Sequence, residues 1–417
     1  MAPLVLGIDL GTSGVRVAVL DAQGALQHSA SASYERGLSH AEDWRAACQG
    51  LIRAIPEQLK RQLKAIAVDG TSGTLLACSS DGNPLGEALI YSQACPEQAH
   101  RLSTLVPATS LAASSSGSLA RALRLLEQIP DLDLLRHQAD WINGWLLHDW
   151  RWGEEGNNLR LGWNLQSEGW DGSVDQQPWV SALPRVRASG TRLGLIDAER
   201  ALELGLPPGL QVVAGTTDSN AAALAANPGA DDGITVLGTT LVMKRFTRQP
   251  LIGPGITSHR VGGRWLCGGA SNAGCGVLRR FFTDNQLQEL SRQIDPESSS
   301  ELQYRPLPGP GERFPVDDPE LQPLLEPRPV SDALFLQGLL EGLARIEAQG
   351  WARLQELGAP RPKRVISLGG GARNPQWRRL RERRLGCPVL SCNQPPAAGV
   401  ARLALFALNR GESAQQL

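Results

Sequence analysis

The sequence predicts an α/β protein of two domains, and three observations carry that expectation. The first is length, because 417 residues exceed what one hydrophobic core usually organises. The second is alternation: short apolar runs with strand character are separated by stretches whose apolar residues recur at helical spacing. The third is repetition. The strand, glycine-threonine turn and second strand that open the chain return in degenerate form after residue 229.

Three strands are expected at the start, over Leu4–Ile8, Val15–Leu20 and Ala25–Ala30, with Asp21-Ala22-Gln23-Gly24 as the second turn. In the helix that follows, Trp44, Cys48, Leu51, Ile52, Ile55 and Leu59 fall three or four apart, and Glu42-Asp43 bring negative charge to its first turn. A fourth strand, Ala65–Val68, runs into Asp69. Helical periodicity marks Leu119–Ile129 and Ala139–Trp150, and the Trp- and Gly-rich stretch to Gly172 reads as loop because it shows no period. A strand at Leu210–Val213 leads through Gly215-Thr216-Thr217-Asp218 into an alanine-rich helix that Pro228-Gly229 stops. The domain boundary is expected there, giving domains over 1–228 and 229–397. The second domain repeats the opening with strands at Ile234–Leu237, Leu241–Arg245 and Arg264–Leu266. Residues 304–330 read as a long ordered loop, Leu334–Leu357 as an amphipathic helix, Val365–Leu368 as a strand, and Ala397–Leu408 as a closing helix.

Composition narrows the function classes. Charged residues are 20% and hydrophobic ones 41% of the chain, so ordering the whole of it by apolar burial is feasible. A net charge of −1 offers no field for a polyanion, so no nucleic-acid partner is expected. The run Arg378, Arg379, Arg381, Arg383 and Arg384 reads as one solvated helix face. The first residues carry no basic segment and no apolar run approaches the ~18 residues of a membrane span, so neither a signal peptide nor a membrane is expected. Seven scattered cysteines without a C-x-x-C pair argue against a disulfide framework and a zinc site and for the reducing cytoplasm. The histidines form no H-E-x-x-H and flank no nucleophile motif.

One turn type is written four times: Gly11-Thr12-Ser13, Gly70-Thr71-Ser72, Gly215-Thr216-Thr217 and Gly238-Thr239-Thr240. Each follows a short apolar strand. Glycine lets backbone approach an anion, and the next residues offer N–H and hydroxyl donors to phosphate oxygens. Three copies carry an acid, Asp9, Asp69 or Asp218, able to hold Mg²⁺ through water or to accept a proton from an attacking hydroxyl. Asp69 also reads as an ordinary turn cap. Gly369-Gly370-Gly371 is neither a dinucleotide fingerprint nor a Walker A loop, yet a triple glycine between strand and helix suits nucleotide phosphate or ribose.

Together with Gly311-Glu312-Arg313-Phe314-Pro315 and Gly338-Leu339-Leu340-Glu341-Gly342, these motifs resemble the FGGY carbohydrate kinases over almost the whole chain. Asp69-Gly70-Thr71-Ser72-Gly73-Thr74, Tyr91-Ser92-Gln93-Ala94-Cys95-Pro96 and Gly268-Gly269-Ala270-Ser271-Asn272 look most like the short cyanobacterial and plant D-ribulose kinases. The resemblance implies an actin-like, ribonuclease H-like fold with two domains closing on a central cleft, sugar mainly on the first and MgATP on the second. Helix 398–417 would pack back onto the first domain. By the same resemblance Asp218 is the catalytic base and Asp9 with Thr12 the metal and phosphate loop. Asp9, Thr12, Ser13, Gly14, Ser72 and Asp218 would meet the sugar. Gly238, Thr239, Thr240, Gly369, Gly370 and Asn374 would meet nucleotide, with Trp377 stacking near the adenine. Where many members carry W-x-D-x-R, this chain has Tyr91, Gln93 and Cys95, which leaves sugar selection by that segment open. The expected reaction is transfer of the γ-phosphate to a ketose, D-ribulose foremost. The alternatives are another ketose or polyol (xylulose, glycerol, ribitol), an actin- or Hsp70-like ATPase, and a sugar sensor without catalysis. Nothing in the residues gives the oligomeric state.

Overall fold

The computed structural model describes residues 3–415. It divides into two compact units. Unit 1 takes the chain up to Ala225, the turn Arg260–Gly263 and the chain from Gln394 onward; unit 2 takes Ala226–His259 and Arg264–Asn393.

The sheet of unit 1 contains β1 (Leu4–Leu10), β2 (Gly14–Leu20), β3 (Leu26–Ser33), β4 (Leu63–Gly70), β5 (Arg192–Leu195) and β6 (Gln211–Thr217), in the order β5-β6-β4-β1-β2-β3. β1, β2 and β3 form an antiparallel meander, whereas β4 runs parallel to β1 and β6 parallel to β4. Central β1 is buried along its whole length, as an almost uninterrupted apolar run demands. β3 alternates exposed and half-buried residues, as an edge strand does. Side chains alternate across a strand. Leu4, Leu6, Ile8 and Leu10 therefore join one core with Trp44 and Trp141, whose rings meet edge to face at 6.0 Å. On the opposite face helix Pro396–Gln415 packs against β1, β2 and β4. A Cβ on Gly7 would lie 1.9 Å from the Ala397 carbonyl oxygen, and one on Gly399 1.8 Å from that of Ala221, so both approaches require glycine.

The second sheet contains β7 (Asp232–Leu237), β8 (Leu241–Thr247), β9 (Ile256–Val261, whose last two residues group with unit 1), β10 (Arg264–Ser271), β11 (Arg364–Leu368) and β12 (Val389–Ser391), in the order β9-β10-β8-β7-β11-β12. β7, β8 and β10 form the meander, and β11 and β12 run parallel to β7. The repeat suspected from the turns is thus written in the strand order of both sheets. Helix Asp332–Glu356 supplies much of this core, with Phe335 against Phe281, Phe282 and Tyr304.

Several expectations need correction. Arg381 is not part of a solvated face: it is 1% exposed and clamps Glu347 at 2.5 and 2.7 Å while donating to Ser367 Oγ at 2.7 Å. Thr235 Oγ1 adds a 2.6 Å bond to the same carboxylate. The stretch before Gly172 is not all loop. It holds strand Trp152–Glu154, helix Glu155–Asn158 and a hairpin of Trp163–Asn164 with Gly169–Trp170, all too short to show a period. Buried Glu154 starts that helix by accepting from the N–H groups of Gly156 and Asn157. The helix expected to reach Trp150 stops at Leu147, where His148 turns left-handed. The turn Arg260–Gly263 groups with unit 1 because Arg260 grips buried Glu155 at 2.8 Å and Glu168 at 2.8 Å.

Candidate functional site

Parallel strands of an open α/β sheet converge on ligands at their carboxyl ends. In unit 1 the three adjacent parallel strands β1, β4 and β6 each deliver one acid there. Asp9 lies next to the end of β1, Asp69 next to the end of β4, and Asp218 directly after β6. Asp9 and Asp69 are register partners. Asp9 is 1% exposed and bonds Arg16 on β2 at 3.1 Å. Asp69 is fully buried, and beyond the neighbouring Asp9 carboxyl its oxygens find no hydrogen-bond partner. Burial pushes its carboxyl well above the usual carboxylate range, and the charges of Asp9 and Asp218 push the same way. Asp218 is half-buried at the start of helix Asp218–Ala225 and accepts from the Ser219 N–H at 2.6 Å.

The first glycine-threonine turn links β1 to β2 and is closed by Gly11 N–H donating to the Gly14 carbonyl at 2.9 Å. It leaves Thr12 and Ser13 exposed and buries Gly14. Thr12 Oγ1 stands 3.4 Å from the Tyr91 hydroxyl. Ser72 is half-buried in the turn after β4, whose Thr71 is fixed by Gln138 Oε1 at 2.8 and 3.1 Å. The turn before Asp218 is held from beneath. Asn157 Nδ2 donates to the Thr216 carbonyl at 3.4 Å and Asn220 Nδ2 to Thr216 Oγ1 at 3.2 Å.

Unit 2 repeats the arrangement without the acids. Gly238-Thr239-Thr240 follows β7, Gly369-Gly370-Gly371 follows parallel β11, and both turns share the carboxyl edge of that sheet. Gly369 adopts φ 86°, and a Cβ there would lie 2.6 Å from the Leu237 carbonyl oxygen, so this turn is reserved for glycine. Thr239 and Gly370 are exposed. Two residues expected at the nucleotide are committed elsewhere. Trp377 is 2% exposed beneath Gly371, so its ring offers no free face for an adenine to stack on. Asn374 caps its helix by accepting from the Trp377 N–H at 3.0 Å and donates to Ser291 Oγ at 2.8 Å. In the segment Tyr91–Cys95, Tyr91 is exposed and Cys95 buried.

Arg16, Asn157 and Asn220 were not expected here from sequence. Arg16 acts through Asp9 on a neighbouring strand and Asn157 through Thr216, 59 residues away, whereas Asn220 lies only four residues from its partner Thr216.

Among the described residues no group of three or more His, Cys, Asp or Glu side chains is arranged to hold a metal. Asp9 with its buried neighbour Asp69 nevertheless suits a hydrated divalent cation, because magnesium usually takes one or two carboxylates and completes its shell with water and phosphate.

Residues 233–408 match the C-terminal domain of the FGGY family of carbohydrate kinases. The chain is 24% identical to a xylulose kinase of Lactococcus lactis over 441 aligned positions, covering 96% of this chain and 87% of the relative. It is 27% identical to a ribulokinase of Mycolicibacterium smegmatis over 356 positions, covering 67% and 60%. The fold is similar to a solved xylulose kinase of Lactobacillus acidophilus, with TM-score 0.80 at 17% identity over 98% of this chain and 90% of that one. No helix among the described residues is long and apolar enough to cross a membrane.

Proposed function

We propose that this chain, whose residues 233–408 match the C-terminal domain of the FGGY carbohydrate kinases, is a kinase of that family and transfers the γ-phosphate of MgATP to a hydroxyl of D-ribulose, with Asp218 as the base. The observation that carries the reading is the convergence of Asp9, Asp69 and Asp218 at the ends of three neighbouring parallel strands beside a glycine-threonine turn. Phosphoryl transfer needs a proton acceptor and fixed positive charge and donors around the moving group, and little covalent chemistry from the protein.

In the proposed step the sugar oxygen bonds to phosphorus as the bond from phosphorus to the ADP oxygen breaks, and the hydroxyl proton passes to the Asp218 carboxylate. Thr12 and the N–H groups of its turn orient phosphate or sugar oxygens. Asp9 and Asp69 would hold the magnesium ion, which when bound neutralises phosphate charge. Thr239, Thr240 and the exposed backbone at Gly370 are the donors offered to the nucleotide phosphates.

D-ribulose is favoured by the resemblance carried in Asp69–Thr74 and Tyr91–Pro96; the similarity to a ribulokinase supports a ribulose without choosing its enantiomer. The similarity to a xylulose kinase makes D-xylulose the second reading. A coupled ATP-consumption assay with D-ribulose, L-ribulose, D-xylulose, glycerol, ribitol and no sugar tests both. The highest kcat/KM on D-ribulose is expected. Equal ATP turnover with and without every sugar would replace the kinase reading with an ATPase.

A further inference from the structure

We propose that Tyr91 is the residue of this site that sets sugar selectivity, and that Arg121 is the positioning residue that holds it over Thr12. The inference rests on the kinase reading above and deepens it.

The argument starts from an unusual guanidinium. Arg121 lies on helix Ser118–Gln128 and is 1% exposed, yet no carboxylate among the described residues hydrogen-bonds to it. Its Nε donates to the carbonyls of Ile90 and Gln93, each at 3.0 Å. One terminal nitrogen donates to the Gly73 carbonyl at 3.1 Å; the other donates to those of Ser116, at 2.8 Å, and Tyr91. Burial brings its pKa down to about 10. A buried charge whose partners are all neutral is expensive to retain. What it gains is geometric. One planar fork ties together the turn that carries Ser72, the segment Ile90–Gln93 and the loop before its own helix, and a lysine has neither the plane nor the number of donors to do so.

The segment so fixed presents one large side chain toward the site. Tyr91 is 41% exposed, its N–H donates to Thr74 Oγ1 at 3.2 Å, and Thr74 Oγ1 meets Thr71 Oγ1 at 2.7 Å. The backbone of Tyr91 is therefore gripped from both its amide and its carbonyl, while the ring reaches to Thr12. Cys95, two residues past Gln93, is buried and presents nothing. A hydroxyl held beside Thr12 can bond one sugar hydroxyl and leave an epimer or shorter polyol with an unpaired group, which is how polar sites discriminate.

The test uses the full-length protein with Tyr91→Phe, Tyr91→Ala, Arg121→Lys and Arg121→Met. Each is assayed on D-ribulose, D-xylulose and glycerol, with KM for ATP measured alongside. Tyr91→Phe should lower the kcat/KM preference for the best sugar by roughly 3- to 10-fold, mainly through sugar KM, with KM for ATP unchanged. Arg121→Met should shift sugar KM in the same direction and Arg121→Lys should recover part of it. Adding Tyr91→Phe to Arg121→Met should change selectivity little, because the two act as one unit. Unchanged selectivity in both Tyr91 variants overturns the proposal. Arg121 variants that lose melting temperature but keep wild-type selectivity overturn the positioning role. Should Arg121→Met fail to fold, Arg121→Lys and the Tyr91 pair still decide the matter. A wild-type chain inactive on every sugar overturns the kinase reading and this proposal together, an outcome distinct from an active wild type with indifferent variants.

Discussion

Asp9 and Asp69 are paired in register on adjacent parallel strands, and the second of them finds no hydrogen-bond partner beyond the first. Two buried carboxylates side by side repel each other unless a proton or a cation lies between them, and magnesium bound with phosphate would supply the cation. Asp69→Asn should raise the free Mg²⁺ needed for half-maximal rate by about tenfold while sugar KM moves little. Asp9→Ala should abolish activity on every sugar alike. Rates measured across a magnesium titration check both, and an unchanged magnesium requirement in Asp69→Asn would leave Asp69 a structural acid.

Asp218 opens a helix at the end of β6 on a turn held by Asn157 and Asn220. A sugar alcohol needs a proton acceptor to become a useful nucleophile. Asp218→Asn should lower kcat by roughly 10²- to 10⁴-fold with nucleotide affinity nearly intact. Steady-state kinetics alongside calorimetric titration with ATP separates the two effects. A variant retaining a tenth of the rate would point to another base.

The Glu347–Arg381 pair joins helix Asp332–Glu356 to helix Pro375–Leu385 inside unit 2. Removing one partner strands the other charge in the core. Glu347→Ala should cost about 3–5 kcal/mol, and the double change Glu347→Leu with Arg381→Met should cost less than that single one. Thermal unfolding of the three proteins tests the ordering.

Asp43 offers a pH signature. Burial works to raise its carboxyl, but the Arg36 N–H at 2.5 Å, the Arg36 guanidinium and the Gly37 N–H outweigh it, and the folded value falls below the ordinary 3.8. A depressed carboxyl contributes stability that is complete above its unfolded value and disappears as pH falls through the folded one. Asp43→Asn should therefore be less stable than wild type by about 1 kcal/mol at neutral pH, a modest figure because Arg36 is half exposed. The gap should close below pH 3.8. Denaturant midpoints at several pH values would reveal a constant gap if the argument were wrong.

What the sequence disclosed follows from how each signal is encoded. Strand β1 and its turn were legible because a buried central strand is a continuous apolar run stopped by glycine. Asp9 and Asp218 were legible by their place at strand ends. Arg381 was misread because its charged neighbours are solvated while its own partner sits 34 residues earlier on a different helix. Trp377 was misread because an aromatic beside a nucleotide motif looks the same in sequence whether it stacks on a ligand or floors the turn. Arg121 left no signal at all, since its acceptors are backbone carbonyls drawn from separate loops.

The helix Pro396–Gln415 covers the strand that begins at Leu4. On the ribosome, where chains emerge from the amino end and domains tend to fold in that order, this arrangement reverses the schedule. The sheet bearing Asp9 is made first but waits, one apolar side bare, through the translation of nearly everything else. Unit 2 spans Ala226–Asn393, interrupted by the four residues Arg260–Gly263, and is free to finish beforehand. The earliest-made half of the enzyme is thus the last to mature, and its naked sheet is the surface a chaperone would have to guard.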